Sequence, residues 1–258
     1  VYDDRALEEI RMMQELITQG WAPKQAADAV LRHRRSQPST FDTIEAAHAG
    51  LPAPEAVIEA ARNLNEAGLA DILDTAFTRG SFEHVFDAWL APALHLVGTE
   101  WHAGRLDIAA EHMVSAAVMR RLSSLYEASG AANAAPTVLA GLPQNGQHVI
   151  PALAFAVAAR RAGLAAVYLG ANVPSAAWAI AVQKSSVRAV ALTATTTADA
   201  DAASASITAI KSARPDVLVC IGGATSNDVI GADIVFTDSI PTSAKHLALQ
   251  LLSPAARI

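Results

Sequence analysis

Four short stretches hold the residues whose types and spacing could do chemistry. In TVLAGLPQNGQHVIP (137–151), an apolar run from Val138 to Leu142 stops at Pro143 and a polar loop, Gln144-Asn145-Gly146-Gln147, follows. His148 and Val149 then open an alanine-rich helix. Imidazole is the commonest metal-binding side chain. A strand that ends in a Gly-containing loop and opens into a helix places that loop at the carboxyl edge of a sheet, where open α/β folds bind ligands. His148 therefore stands where a metal-bearing cofactor could reach it. The plainer alternative is a histidine that only starts a helix. Further on, Thr193-Ala194-Thr195-Thr196-Thr197 offers hydroxyls and little bulk, and Gly222-Gly223 lets a ligand approach the backbone closely. These loops hold no carboxylate pair and no Ser-His-Asp set, so they suit a long uncharged ligand tail better than acid–base catalysis. The competing view is a Thr run that merely caps a helix. The fourth stretch pairs Trp101-His102 with Glu111-His112. The end of one helix and the start of the next could aim an indole, a carboxylate and imidazoles at one spot, although such residues alone are more often core and surface.

The elements that must position these groups are legible from periodicity. From residue 137 onward, strands are predicted at 137–142, 165–170, 188–193, 216–221 and 233–237, alternating with helices at 149–162, 174–184, 199–213, 224–230 and 241–252. Apolar strands each followed by a helix indicate a doubly wound parallel five-stranded sheet over 135–258. No G-x-G-x-x-G follows the first strand, so a dinucleotide is a poor fit. Residues 53–130 carry four helical patterns, 54–65, 66–79, 81–101 and 107–128, with breaks at Gly68, Gly80 and Gly104. Short connections between amphipathic helices argue for a four-helix bundle. Residues 36–52, SQPSTFDTIEAAHAGLP, read as a linker. Residues 1–35 read as two short helices, the first with Leu7, Ile10, Met13, Leu16 and Ile17 on one face, the second opened by Pro23 and followed by His33-Arg34-Arg35.

Composition sets the bounds. The chain has 258 residues, 52% hydrophobic and 17% charged, with a formal net charge of -6, enough for about two compact domains. The acidic balance excludes a chain built wholly for nucleic acid, while a small basic module could be diluted within it. There is no run of eighteen apolar residues for a membrane span and no signal peptide. Cys220 is the single cysteine, so an internal disulfide is ruled out and a cytoplasmic protein is expected. The chain begins at Val1 in mid-pattern, and further residues are expected upstream.

Two resemblances add to this reading. YDDRALEEIRMMQELITQGWAPKQAADAVL resembles the closing part of a MerR-family winged helix-turn-helix domain, which implies a recognition helix and most of the wing upstream of Val1. His148, Thr193-Ala194-Thr195 and Gly222-Gly223 resemble the cobalamin-binding signature D-x-H-x-x-G…S-x-L…G-G, with Gly146 where an acidic residue is usual and Pro151 where Gly is. The resemblance implies that His148 is the lower axial cobalt ligand and that the Thr and Gly loops hold the nucleotide tail. Asn145 or Gln147 could stand in, more weakly, for the missing carboxylate that would orient the imidazole. With the W-H…E-H pattern, the whole resembles the MerR-family B12-dependent photoreceptor regulators of the CarH/LitR type. That family implies adenosylcobalamin between bundle and sheet. Trp101 would pack on the adenosyl group, Glu111 and His112 would hold its edges, and Ile108 would line the pocket. His102 would ligate cobalt from above after light. It also implies a dark homotetramer that binds operator DNA and is split by light. A corrinoid protein carrying methyl groups for a methyltransferase is the alternative, and it leaves the MerR-like hairpin and Trp101-His102 unexplained.

Overall fold

The computed structural model describes residues 50–130, 135–183 and 187–253. The MerR-like hairpin expected over 1–35, and the linker as far as residue 49, lie outside them. Within the described residues the polypeptide builds a helical bundle first and an α/β layer second, as the sequence predicts.

The bundle consists of α1 (Glu55–Arg62), α2 (Glu66–Phe77), a long rod made of α3 (Phe82–Val85), a π turn (Phe86–Leu90) and α4 (Ala91–His102), and α5 (Ile108–Ala128). The starts of α2, α3 and α5 are each fixed by a side chain accepting a backbone N–H: Asn65 from Gly68, Ser81 from His84, Asp107 from Ala110. The π turn has a local cause. Pro92 lacks an N–H, and its ring would collide with the carbonyl four residues back in a regular helix. The rod instead takes an extra residue, with the Ala91 N–H reaching the Phe86 carbonyl. Trp89, in that turn, is fully buried with Leu69, Leu90 and Leu122.

The α/β layer runs β1 (Thr137–Pro143), α6 (Val149–Arg161), β2 (Ala165–Val173), α7 (Ser175–Gln183), β3 (Val187–Thr193), α8 (Thr197–Ala213), β4 (Leu218–Gly222), β5 (Ile234–Val235) and α9 (Ile240–Leu252). All pairings are parallel, in the order β2-β1-β3-β4-β5. This is the flavodoxin-like winding, whose switch point lies between β1 and β3. The central strands β1 and β3 are buried along almost their whole length, which is why they read as continuous apolar runs. Two expectations need correction. The helix predicted at 224–230 is only a single 3₁₀ turn, Ser226–Asp228, because the Gly223-to-Gly231 stretch, Gly at both ends and Ser-Asn-Asp between, favours turns. The strand predicted at 233–237 is reduced to two residues at the sheet edge.

The described residues from 51 onward form one compact unit, and the bundle's core is continuous with the sheet face covered by α6 and α9. The joint is specific at Tyr126. Its hydroxyl donates to the Ala166 carbonyl (3.1 Å) and accepts from the Tyr168 N–H (3.1 Å). Tyr126 thereby occupies the place of a neighbouring strand along β2, an edge of the sheet. The Arg160 guanidinium lies 3.4 Å over the Tyr126 ring and donates to the Tyr126 and Ala166 carbonyls. No helix among the described residues is long and apolar enough to cross a membrane.

Candidate functional site

The carboxyl ends of β1, β3 and β4 converge, as parallel winding requires, and there the structure opens a largely apolar cavity of about 250 Å³. Its walls include Thr193 at the end of β3 and Thr195 beyond it, Gly222 at the end of β4 and Gly223 beyond it, and Pro151 in the first turn of α6; the 144–147 loop and His148 are not part of the lining. Phe155 and Phe236, stacked with centroids 5.5 Å apart, belong to the lining as well, as does Asp238 before α9. The two glycines differ. Gly223 has φ +109, and a Cβ there would lie 2.1 Å from the Ala194 carbonyl oxygen, so only Gly fits; a Cβ on Gly222 would meet Phe236 at 3.7 Å, an ordinary contact.

In the Thr loop, Thr196 caps a helix, as the competing view had it. Thr195 spends its hydroxyl on Asp199, whose Oδ2 accepts from the Thr195 hydroxyl (2.9 Å) and from the N–H groups of Thr195 and Thr196 (both 3.0 Å). Thr196 and Asp199 form a reciprocal capping box on α8. Burial would raise the Asp199 carboxyl, but these hydrogen bonds outweigh it and hold the pKa below the ordinary carboxylate value. Thr193, buried on the cavity wall, keeps a hydroxyl without a hydrogen bond to another described residue. Asp199 was missed in the sequence, although T-x-x-D ahead of an apolar pattern is a helix-start signal.

His148 is the N-cap residue of α6, exposed, and it makes no capping hydrogen bond. Pro151 fits in the first turn, as the sequence predicts. Neither Asn145 nor Gln147 bonds to the imidazole. The Asn145 N–H instead donates to the side-chain oxygen of Asn172 at the end of β2 (2.8 Å), and the Asn172 N–H donates to the Gly146 carbonyl (3.1 Å). A Cβ at Gly146 would lie 3.1 Å from the Leu142 Cβ and the Pro143 carbonyl oxygen, so any side chain there would need its neighbours to give slightly.

The second constellation gathers at the α4–α5 turn. The rings of Trp101 and His102 meet edge to face at 4.7 Å, and His102 Nδ1 pairs with the Gly98 carbonyl at 2.8 Å. Glu111 Oε2 lies 2.8 Å from His112 Nδ1, and Glu111 Oε1 accepts from Ser115 at 2.6 Å. Glu100 ties the turn to α1 by bridging Arg62 (2.8 Å) and Arg105 (2.6 Å). Trp101 is 41% exposed and Ile108 61%. These groups thus fall in three places, on the bundle turn, at the start of α6 and around the sheet cavity, and among the described residues no hydrogen bond joins the bundle turn to the other two.

The donor chemistry fits a corrinoid: an exposed imidazole at a sheet's carboxyl edge, an apolar slot with a hydroxyl that has no partner among the described residues and a glycine-walled side, and an exposed indole on the bundle. Models of B12-binding domains match residues 54–126 and 136–246. The chain belongs to the B12-binding family. Among curated relatives of this B12-binding chain, the HTH-type transcriptional repressor CarH of Myxococcus xanthus is 29% identical over 185 residues, covering 67% of this chain and 59% of that protein. The HTH-type transcriptional repressor CarA of the same organism is 35% identical over 106 residues, 41% of this chain and 35% of that protein. The chain therefore spans about three fifths of the one and a third of the other. The monomethylamine corrinoid protein of Methanosarcina barkeri shares the B12-binding fold with a TM-score of 0.62 at 19% identity, over 76% of this chain and 96% of that one.

Proposed function

We propose that this chain is the sensory part of a light-responsive transcriptional repressor that binds adenosylcobalamin between its helical bundle and its α/β layer. The observation that carries the reading is the α4–α5 turn. There an indole and an isoleucine, Trp101 and Ile108, are exposed on the same turn that carries the Glu111–His112 pair, an apolar surface with polar groups at hand of the kind that marks a ligand site. The B12-binding matches on both halves and the relationship to repressors named CarH and CarA support it.

When bound, adenosylcobalamin supplies a cobalt–carbon bond that visible light can break. His148 would hold the cobalt from below, with the loop of Asn145, Gln147 and Val149 around it. Thr193, Thr195, Gly222 and Gly223 would accept the nucleotide tail in the cavity. Trp101, Ile108, Glu111 and His112 would enclose the adenosyl group, and His102 would stand by as the upper ligand after light. Removal of that wedge would let the bundle shift against the sheet and bias a two-state assembly. DNA contact would come from a MerR-like head mostly preceding Val1. The dark state would be a homotetramer whose several heads bind operator DNA jointly.

The test is the absorbance and the oligomeric state of the protein loaded with adenosylcobalamin, before and after green light. Both should change, and an identical profile refutes light sensing. His148→Ala should abolish lower-face ligation in the cobalt spectrum. Methyl transfer to the loaded protein from a partner methyltransferase, with no light response, would replace this reading by a methyl-carrying one.

A further inference from the structure

The loop that carries His148 lacks the side-chain device that usually orients a metal-binding imidazole. Gly146 offers no carboxylate, and neither Asn145 nor Gln147 reaches the ring. The imidazole's position therefore depends on where the backbone of residues 145–148 is held. Among the described residues, that backbone is pinned from the neighbouring strand by one side chain, Asn172, whose Oδ1 accepts the Asn145 N–H at 2.8 Å. The Asn172 N–H adds a bond to the Gly146 carbonyl at 3.1 Å, closing a two-point clamp across residues adjacent in sequence. Both clamp residues have left-handed backbones, Asn145 with φ 67 and Asn172 with φ 53, a region where asparagine is favoured among residues with a side chain. The turn itself is closed by the Gly146 N–H on the Pro143 carbonyl at 3.0 Å. The clamp ends two residues before His148.

We infer that Asn172 is a positioning residue for cobalt ligation, taking over through the backbone the orienting task that a carboxylate beside the histidine would perform. The inference rests on the assignment of His148 as the lower ligand. It separates two jobs within one side chain: the left-handed backbone, which glycine would also adopt, and the carbonyl acceptor, which aspartate would keep. Asn172→Gly removes the acceptor without straining φ, and Asn172→Asp retains it.

The probe is cob(II)alamin, bound to protein labelled with ¹⁵N-histidine, and the readout is the nitrogen splitting in its electron paramagnetic resonance spectrum. An axial ¹⁵N imidazole splits each cobalt line into a doublet, whereas an unlabelled base gives a triplet. Wild type should show doublets and His148→Ala should not. Asn172→Gly should lose or broaden the doublets and weaken cob(II)alamin binding about tenfold, the scale expected when support for a metal ligand is removed. Asn172→Asp should keep both near wild type. Without any corrinoid, amide exchange at Asn145 should speed up in Asn172→Gly and not in Asn172→Asp. Should the glycine variant fold poorly, Asn172→Ser, with a hydroxyl too short for the same acceptor position, replaces it in every measurement. Wild-type doublets and affinity in Asn172→Gly, alongside their loss in His148→Ala, overturn the inference and leave the ligand assignment intact. Doublets that persist in His148→Ala overturn the assignment and the inference with it.

Discussion

Replacing Gly223 by Ala tests whether the cavity wall is set by backbone geometry. The φ of +109 at Gly223 is closed to residues with a Cβ, and the added carbon would sit 2.1 Å from the Ala194 carbonyl oxygen and 2.9 Å from its carbon. Ala194 cannot simply retreat. Its N–H is bonded to the Gly222 carbonyl at 2.9 Å, and its carbonyl accepts from Thr225 at 3.2 Å. Enforced strain at one residue costs about 1–3 kcal/mol, and each sacrificed backbone hydrogen bond about 1 kcal/mol. Together they predict a loss of about 2–4 kcal/mol in unfolding free energy, or about 5–15 °C in melting temperature for a unit of this size. The partner variant is Gly222→Ala, whose Cβ meets only Phe236 at 3.7 Å. It should leave stability within about 0.5 kcal/mol, while narrowing the cavity and weakening corrinoid binding. Urea unfolding of the apo proteins, followed by titration with hydroxocobalamin, measures both. A Gly223→Ala protein as stable as wild type, or a Gly222→Ala protein destabilised as strongly as its neighbour, would refute the argument.

Asp199→Ala should cost stability at neutral pH and progressively less in acid. The folded carboxyl titrates below its ordinary value, so its contribution is fully present above about pH 4 and disappears as pH falls through the lowered pKa. The gap between wild type and variant in urea unfolding should therefore hold steady from neutral pH to about pH 4 and narrow as pH falls further; a gap that stays constant in acid would show that the charge is not involved. Tyr126→Phe should lose about 1–2 kcal/mol and expose the Tyr168 amide to faster hydrogen exchange, since its acceptor is that hydroxyl; unchanged exchange would deny Tyr126 its place at the sheet edge. Trp101→Ala, at a half-exposed position, should leave the melting temperature nearly unchanged while weakening adenosylcobalamin more than hydroxocobalamin. Equal affinity losses for both would place the indole away from the adenosyl group.

Strands and helices of the α/β layer were readable because burial on both faces of a parallel sheet leaves continuous apolar runs, as in β1 and β3. The bundle was readable through helical periodicity and the Gly breaks. What periodicity could not show was geometry made by single residues. The stretch after Gly223 has helix-compatible alanine and serine, yet its turn-forming polar residues keep it to one 3₁₀ turn. The site divides along the same line. Thr193, Gly222 and Gly223 were found because their types announce close approach, and they do line one cavity. Asp199 was marked only by the T-x-x-D helix-start pattern, whereas Asn172 acts through hydrogen bonds to a loop twenty-seven residues away and carries no local signal, so its task appears only when the strands are in register. Among the described residues neither Asn145 nor Gln147 makes a hydrogen bond to the imidazole, and the Asn145 backbone N–H is taken by an acceptor from β2, twenty-seven residues away.

The π turn at Phe86–Leu90 sets the compass bearing of everything that follows it on the same rod, Trp101 and His102 included. Each residue of an α-helix advances the side-chain direction by about 100°. Deleting one residue inside that turn would swing the indole and imidazole about a quarter of a revolution away from their present heading, and would thrust Pro92 into a carbonyl. Chains with and without this extra residue, however alike in their W-H pattern, would point it at different neighbours. Alignments of such bundles should therefore be anchored on the turn before any equivalence is assigned to the tryptophan.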